Sequence, residues 1–190
     1  MDGWLTDLRD TGAMLEGHFV LASGKHSDRY VLLPRLVAHP DRLKPWMVEL
    51  SRHAAALEPT AIVGPAMGGV ILAWALAEVL GPRVWAGFAE KEPDGSMAIR
   101  RGFPLGRSER VFLIEDVLTT GGSLMKTRDA VEVTGASVVG AGALVDRRPP
   151  GMLLPLPLAT VTVLAAEAWD PDGCPLCAKG GRPTRPKLSS

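Results

Sequence analysis

Residues 111–123 read VFLIEDVLTTGGS. An apolar run ends in two adjacent carboxylates, Glu115 and Asp116; Val117 and Leu118 follow, then Thr119, Thr120, Gly121, Gly122 and Ser123. A strand that passes through such a turn into a helix makes an anion cradle. The first backbone N–H groups of the helix have no intrahelical acceptor, glycines let a phosphate come close, and threonine hydroxyls add donors. Carboxylates do not bind phosphate, so Glu115 and Asp116 must serve something beside it: sugar hydroxyls, a metal ion or a developing positive charge. Phosphate at one end and vicinal hydroxyls at the other describe a ribose 5-phosphate. Thr-Thr-Gly-Gly alone would suit an ordinary capped turn equally well; the apolar strand and the acid pair weigh against that. No Gly-Lys-Ser/Thr P-loop occurs, and no GxGxxG follows the first strand.

Other polar clusters also close apolar runs. Pro65-Ala-Met-Gly-Gly69 follows residues 60–64, and Asp146-Arg147-Arg148 follows residues 138–145. Lys25, His26, Ser27 and Asp28 come after a Ser23-Gly24 turn. Cys174-Pro-Leu-Cys177 is half of a zinc site, but two more ligands are needed. His18, His26, His39 and His53 all lie far upstream. Two chains of a dimer could pool four thiolates; the simpler reading is a pair of small buried thiols and no metal held by the protein.

The elements that must position these groups follow from periodicity. Trp4, Leu5, Leu8 and Leu15 share a helical face over residues 2–16. Phe19 and Leu21 alternate with Val20 and Ala22, which predicts a strand and turn. Leu43, Trp46, Met47, Leu50, Ala54 and Leu57 recur at helical spacing over residues 41–57. The segment VILAWALAEVLG after residue 69 is apolar all round, which predicts burial on every side, in a core or a subunit interface. Residues 83–89 and 97–103 are strand candidates around an Asp94-Gly95 hairpin turn or mobile loop. A helix is expected over residues 123–134, stopped by Gly135, and a last strand over residues 159–165. Continuous apolar strands alternating with helices predict an α/β fold: a parallel sheet with helices on both faces. In such sheets ligands bind beyond the carboxyl ends of the strands, where the polar clusters fall.

The chain of 190 residues suits one domain with a real core; it carries 21 basic and 21 acidic residues. Zero net charge opposes broad nucleic-acid binding but not capture of one small phosphate. The run of residues 149–166 is uncharged but interrupted by Pro149, Pro150, Pro155 and Pro157, so no membrane span is expected. The start of the chain shows no secretory signal, which leads to an expectation of a cytoplasmic protein. The 21 glycines and 16 prolines imply either tight loops or backbone that approaches a ligand. The tryptophans are assigned to core and interface.

VFLIEDVLTTGGS resembles the 5-phosphoribosyl 1-diphosphate (PRPP) signature of type I phosphoribosyltransferases. LEGHFVLASGKHSDRY is similar to the N-terminal hood of the orotate phosphoribosyltransferases among them, IVGPAMGGV to their diphosphate loop, AEKE to the start of their mobile catalytic loop, and LVDR to their orotate-contacting strand end. The likeness runs in order through residues 12–148. It implies the type I phosphoribosyltransferase fold with a small hood (residues 1–40), a core (41–166) and a Cys/Gly/Pro-rich tail (167–190) as one domain. It implies transfer of phosphoribose from PRPP to orotate with Mg²⁺, carried mainly by PRPP, in a homodimer. Residues 115–123 would bind PRPP, Lys91 and Asp116 would act in catalysis, and Thr119 and Arg147 would contact orotate. Lys91 would reach the diphosphate in the neighbouring subunit. The sequence departs from the family in having Glu90 before that lysine, a short following stretch, and Gly68 where lysine is common. Arg100 and Arg101 are candidates to restore the missing charge. A purine phosphoribosyltransferase or a non-catalytic PRPP-sensing regulator are the alternatives; the hood and LVDR favour the pyrimidine enzyme, and Lys91 favours an enzyme.

Overall fold

The computed structural model describes residues 3–21, 23–164 and 167–185. Ala22, the end of the expected last strand at Ala165, and the final stretch of the tail lie outside the described residues. In chain order the protein forms α1 (Gly3–Asp10), β1 (Met14–Val20), β2 (His26–Val31) and α2 (Pro34–Val37). There follow α3 (Pro40–Ala55), β3 (Ala61–Pro65), α4 (Gly68–Leu80), β4 (Trp85–Lys91), β5 (Met97–Ile99) and β6 (Arg110–Leu118). The chain continues with α5 (Gly122–Glu132), β7 (Ser137–Asp146), β8 (Leu158–Val163), β9 (Ala168–Trp169), a 3-10 turn (Pro171–Gly173) and α6 (Pro175–Ala178).

Two compact units result, one from residues 39–163 and the other from the segments on either side of it. The larger unit holds a six-stranded sheet in the order β5-β4-β3-β6-β7-β8. All pairs are parallel except β4–β5. Strand side chains alternate between the two faces. Ala61, Val63, Val111, Leu113, Ala141 and Ala143 on one face pack with Leu124 and Val131 of α5. On the other face α3 and the turn after it come so close to β7 that a Cβ at Gly142 would lie 2.7 Å from Leu50 of α3, and one at Gly140 would lie 2.5 Å from Leu57. The sheet is therefore covered on both faces, and at its centre every residue of β3 is buried.

Helix α4 is buried on one side only within the chain, so the expected burial on every side would need a subunit interface to cover the rest. Leu72, Ala73, Leu76 and Ala77 enter the core, but Ile71 and Trp74 remain 54% and 66% exposed. The two strand candidates after it do pair as a hairpin, but two residues later than expected at the first strand, so that Lys91 ends β4.

The smaller unit is a three-stranded antiparallel sheet, β1-β2-β9. Leu15, expected on the first helix, belongs to β1, because Gly12 at φ +66° turns the chain after α1. His26, Ser27 and Asp28, expected in a turn, start β2, and His26 and Ser27 are buried. The tail is part of this sheet: Ala168 and Trp169 pair with β2, and the Thr184 N–H donates to the His18 carbonyl at 2.8 Å. This overturns the expectation that the histidines are remote from the CxxC. His18 Nε2 lies 3.3 Å from Cys174 Sγ, and His26 Nδ1 lies 3.3 Å from Cys177 Sγ. Sequence distance misled because the first hairpin and the tail share one sheet.

Candidate active site

Consecutive strands β3 and β4 extend the sheet in one direction, while β6, β7 and β8 extend it in the other. The order therefore switches between β3 and β6, and in open α/β sheets ligands bind beyond the carboxyl ends of strands at such a switch. Parallel pairing brings four chain segments to that edge: residues 65–69 after β3, Lys91 at the end of β4, residues 115–123 from β6 into α5, and residues 146–147 after β7.

The acid pair sits where β6 leaves the core. Glu115 is buried and Asp116 partly so. The Asp116 N–H donates to Glu115 Oε1 at 3.2 Å, and the Val117 N–H donates to Asp116 Oδ1 at 2.6 Å. Burial, then the charge of Asp116 and a hydrogen bond with it, push the Glu115 carboxyl up to about 8. The buried Glu115 carboxyl is thus largely protonated at neutral pH.

Gly68 meets this pair. A Cβ there would lie 2.7 Å from Asp116 Oδ2, so a lysine at this position would force the carboxylate aside. Behind it Gly64 and Gly69 touch backbone to backbone, a Cβ on Gly64 falling 2.5 Å from the Gly69 carbonyl oxygen. The departure at Gly68 is therefore a fit between the loop after β3 and the acid of β6.

The cradle forms as the sequence predicts. Gly121 has φ +76° and ψ +5°, the left-handed conformation that swings the chain from strand into helix. The cap residue Gly121 offers α5 no side chain, and the Gly122 N–H donates to Thr120 Oγ1 at 3.4 Å. The Met125 N–H already reaches the Gly121 carbonyl at 2.9 Å, which leaves the N–H groups of the first turn turned outward. Gly122 has open space on its Cβ side apart from Thr120 Oγ1 at 3.5 Å.

At the end of β7 the Arg147 N–H donates to the Leu118 carbonyl at 2.7 Å, which sets Arg147 next to the start of the cradle and Thr119. Arg148, which the sequence reading passed over, forks onto Asp146 with Nη2–Oδ2 at 2.7 Å and Nε–Oδ1 at 3.0 Å, and its Nη1 donates to the Met152 carbonyl. Burial alone would raise the Asp146 carboxyl, but the hydrogen bonds and charge of Arg148 hold it below the usual carboxylate range. Arg148 lies two residues beyond the end of β7, so strand alternation gave no signal for this pair.

Lys91 is exposed at the end of β4, paired across the hairpin with Met97. The turn is closed by Asp94, whose Oδ1 accepts from the Ser96 N–H at 2.9 Å and hydroxyl at 2.6 Å. Arg100 and Arg101 do not stand free for a phosphate. Arg100 pairs with Glu92 at 2.9 Å, and Arg101 forks onto Glu90 at 2.8 and 3.1 Å. The unexpected acids beside Lys91 thus have partners in the two residues that follow the facing strand. Lys126 of α5, also missed, donates to the Gly95 carbonyl at 2.6 Å and ties the hairpin tip to the cradle helix.

An open sheet with a diphosphate-type loop and a phosphate cradle at its switch point describes a phosphoribosyltransferase, and residues 35–153 match the phosphoribosyl transferase domain family. The chain belongs to that family. Its curated relatives are orotate phosphoribosyltransferases, among them one from Desulforamulus reducens, 41% identical over 90% of this chain and 87% of the relative. Another, from Pelotomaculum thermopropionicum, is 43% identical over 90% of this chain and 88% of the relative. Among solved structures, the orotate phosphoribosyltransferase from Aeropyrum pernix superposes with a TM-score of 0.72 at 30% identity, covering 84% of this chain and 92% of that one.

Proposed function

We infer that the chain transfers the 5-phosphoribosyl group from PRPP to orotate, giving orotidine 5′-monophosphate and diphosphate, a step of pyrimidine nucleotide synthesis. The observation that carries this reading is the run of β6 through Glu115 and Asp116 into the N-terminus of α5, at the sheet's switch point. Residues Thr119, Thr120, Gly121, Gly122 and Ser123 hold the 5-phosphate through backbone N–H groups and hydroxyls. Val117 and Leu118 set the spacing from cradle to acids. Glu115 and Asp116 take the ribose 2- and 3-hydroxyls. As the bond from the anomeric carbon to diphosphate breaks and the bond to the base nitrogen forms, positive charge develops on the ring, and Asp116 stabilises it.

Arg147 pairs with the carboxylate of orotate as a planar fork, beside Thr119. The Asp146–Arg148 pair fixes the strand end from which Arg147 projects. PRPP carries most of the coordination of Mg²⁺, and the partly buried Asp116 offers the hard oxygen donor that suits this ion. When bound, Mg²⁺ neutralises the departing diphosphate. Lys91, at the base of the hairpin, meets the diphosphate of the neighbouring protomer in a homodimer. The exposed Ile71 and Trp74 on α4 support such a dimer, since a large apolar pair on a monomer surface marks an interface. No described helix is long and apolar enough to cross a membrane, and we place the enzyme in the cytoplasm.

The test is a spectrophotometric assay of orotate consumption with PRPP and Mg²⁺. Turnover is expected with orotate and not with adenine or xanthine; the reverse would refute the reading. Arg147→Ala should raise the KM for orotate by about tenfold or more, the loss of one charge-assisted fork, while leaving the KM for PRPP near its original value. An unchanged orotate KM would remove Arg147 from the base site.

A further inference from the structure

We propose that His18, His26, Cys174 and Cys177 bind one structural zinc ion. The four donor atoms all lie within 4.8 Å of one another. His18 Nε2 is 3.2 Å from His26 Nδ1, 3.3 Å from Cys174 Sγ and 3.7 Å from Cys177 Sγ, and His26 Nδ1 is 3.3 Å from Cys177 Sγ. These are the edges of a coordination tetrahedron. With Zn–N of about 2.0–2.1 Å and Zn–S of about 2.3 Å, an ideal tetrahedron separates two nitrogens by about 3.3 Å and a nitrogen from a sulfur by about 3.6 Å.

Hydrogen bonding among neutral thiols and imidazoles does not account for the cluster. A ring nitrogen directs one lone pair or one proton in the plane of the ring, yet His18 Nε2 has three heteroatoms gathered around it. Such convergence is what a shared ion requires. The other nitrogen of the ring, His18 Nδ1, is buried without a hydrogen-bond partner, so nothing competes to turn the ring away.

The backbone is arranged to deliver these atoms. The register of β1 against β2 slips between Glu16 and Phe19, so that Gly17 and His18 together face Asp28. A bulge of this kind re-aims a side chain. His26 opens β2 opposite Trp169, which brings the tail alongside. Cys174 stands in extended conformation just before α6, and the four-residue helix returns Cys177 to the same side. The next turn is closed by the Gly180 N–H on the Cys177 carbonyl at 2.8 Å. The shape of this turn matters at Gly181, where a Cβ would come within 3.2 Å of His18 Nδ1.

The donor set selects the ion. Two nitrogens and two sulfurs in a tetrahedron suit Zn²⁺ and do not suit Mg²⁺ or Ca²⁺, which take oxygen. Two thiolates cancel the charge of the ion, which permits burial: Cys174 is 2% and His26 7% exposed. With four protein ligands no position stays open for water or substrate, so the role is structural rather than catalytic. The need is evident from the lengths of the elements. Strand β9 has two residues and α6 has four, too short to hold a tail in place by their own hydrogen bonds.

The full-length chain, purified from zinc-supplemented cells without chelators or nickel resin, should carry about one zinc per chain by plasma mass spectrometry. Replacement by Co²⁺ should give the absorption of a tetrahedral site with thiolate-to-cobalt charge transfer. Cys174→Ser with Cys177→Ser should lose nearly all of the metal, and His18→Asn should weaken its retention against a competing chelator. A wild-type chain free of zinc and unable to take up zinc or cobalt would overturn the proposal. So would a Cys174–Cys177 disulfide in protein kept reduced, or alkylation of both thiols at the same rate with and without Zn²⁺. If the double variant fails to fold, the metal content and cobalt spectrum of the wild type decide.

Discussion

Gly121→Ala is the most direct test of the cradle. Its φ of +76° is the left-handed region, where an alanine costs about 1–2 kcal/mol relative to glycine. The added methyl would also come within 2.8 Å of Leu154 Cδ2 and 3.0 Å of Cδ1. Turning that leucine off its rotamer costs about 0.5–1.5 kcal/mol more. The sum, about 1.5–3.5 kcal/mol, can be relieved in two ways. If the turn relaxes, the N–H groups of α5 lose their aim, and kcat/KM for PRPP falls by about 10- to 300-fold, each 1.4 kcal/mol being tenfold. If the turn holds, the strain is stored, and Tm falls by about 3–14 °C for a domain of this size. Steady-state kinetics with PRPP varied, together with a thermal melt, distinguish the two. Adding Leu154→Ala should recover the steric share but not the backbone share, and Gly121→Asn should be milder because asparagine tolerates this conformation. A Gly121→Ala enzyme with unchanged Tm and unchanged kcat/KM for PRPP would refute the argument.

Glu115→Gln should flatten the pH dependence of stability. The folded carboxyl titrates at about 8 against 4.5 for the ordinary group, so the folded state holds a proton that the unfolded chain has lost. Wild-type stability therefore falls as pH rises from about 4.5 to about 8, and urea melts at several pH values should show the variant gaining on it across that window. Gly142→Ala should destabilise by about 1–3 kcal/mol through overpacking, since its Cβ meets Leu50 at 2.7 Å and Phe112 at 3.0 Å; a denaturant melt with unchanged midpoint would contradict the tight contact of α3 with β7. Lys126→Ala frees the Gly95 carbonyl, and amides of the hairpin tip should exchange with solvent severalfold faster while those of β6 stay protected.

How much of this was legible in the sequence depended on how local the cause was. The cradle and its acids are a contiguous run, so strand, turn and helix could be read from Val111 to Ser123 directly. Helix α3 was legible for the same reason: Leu43, Trp46, Met47, Leu50 and Ala54 are the residues it buries. Pairings between distant segments were not. Nothing near Gly140 or Gly142 says that Leu50 of α3 and Leu57 after it will press on β7, so these two read as ordinary glycines. Arg100 and Arg101 read as free cations because the acids they meet lie across a hairpin whose register was misjudged. The histidine–cysteine cluster joins residues 156 and 159 positions apart, beyond any periodic signal.

The smaller unit is built from both ends of the chain, while the larger is one continuous stretch, residues 39–163. Synthesis runs from the N-terminus, so the ribosome releases the β1–β2 hairpin first and its partners last. The hairpin must wait, with the β2 edge that will take β9 unpaired, while the whole six-stranded sheet is made and folds. Only when β9 and the Cys174–Cys177 turn emerge can the waiting strands be closed. A nascent chain that stops before β9 therefore leaves this edge of β2 open, and an unpaired strand edge is a template for aggregation.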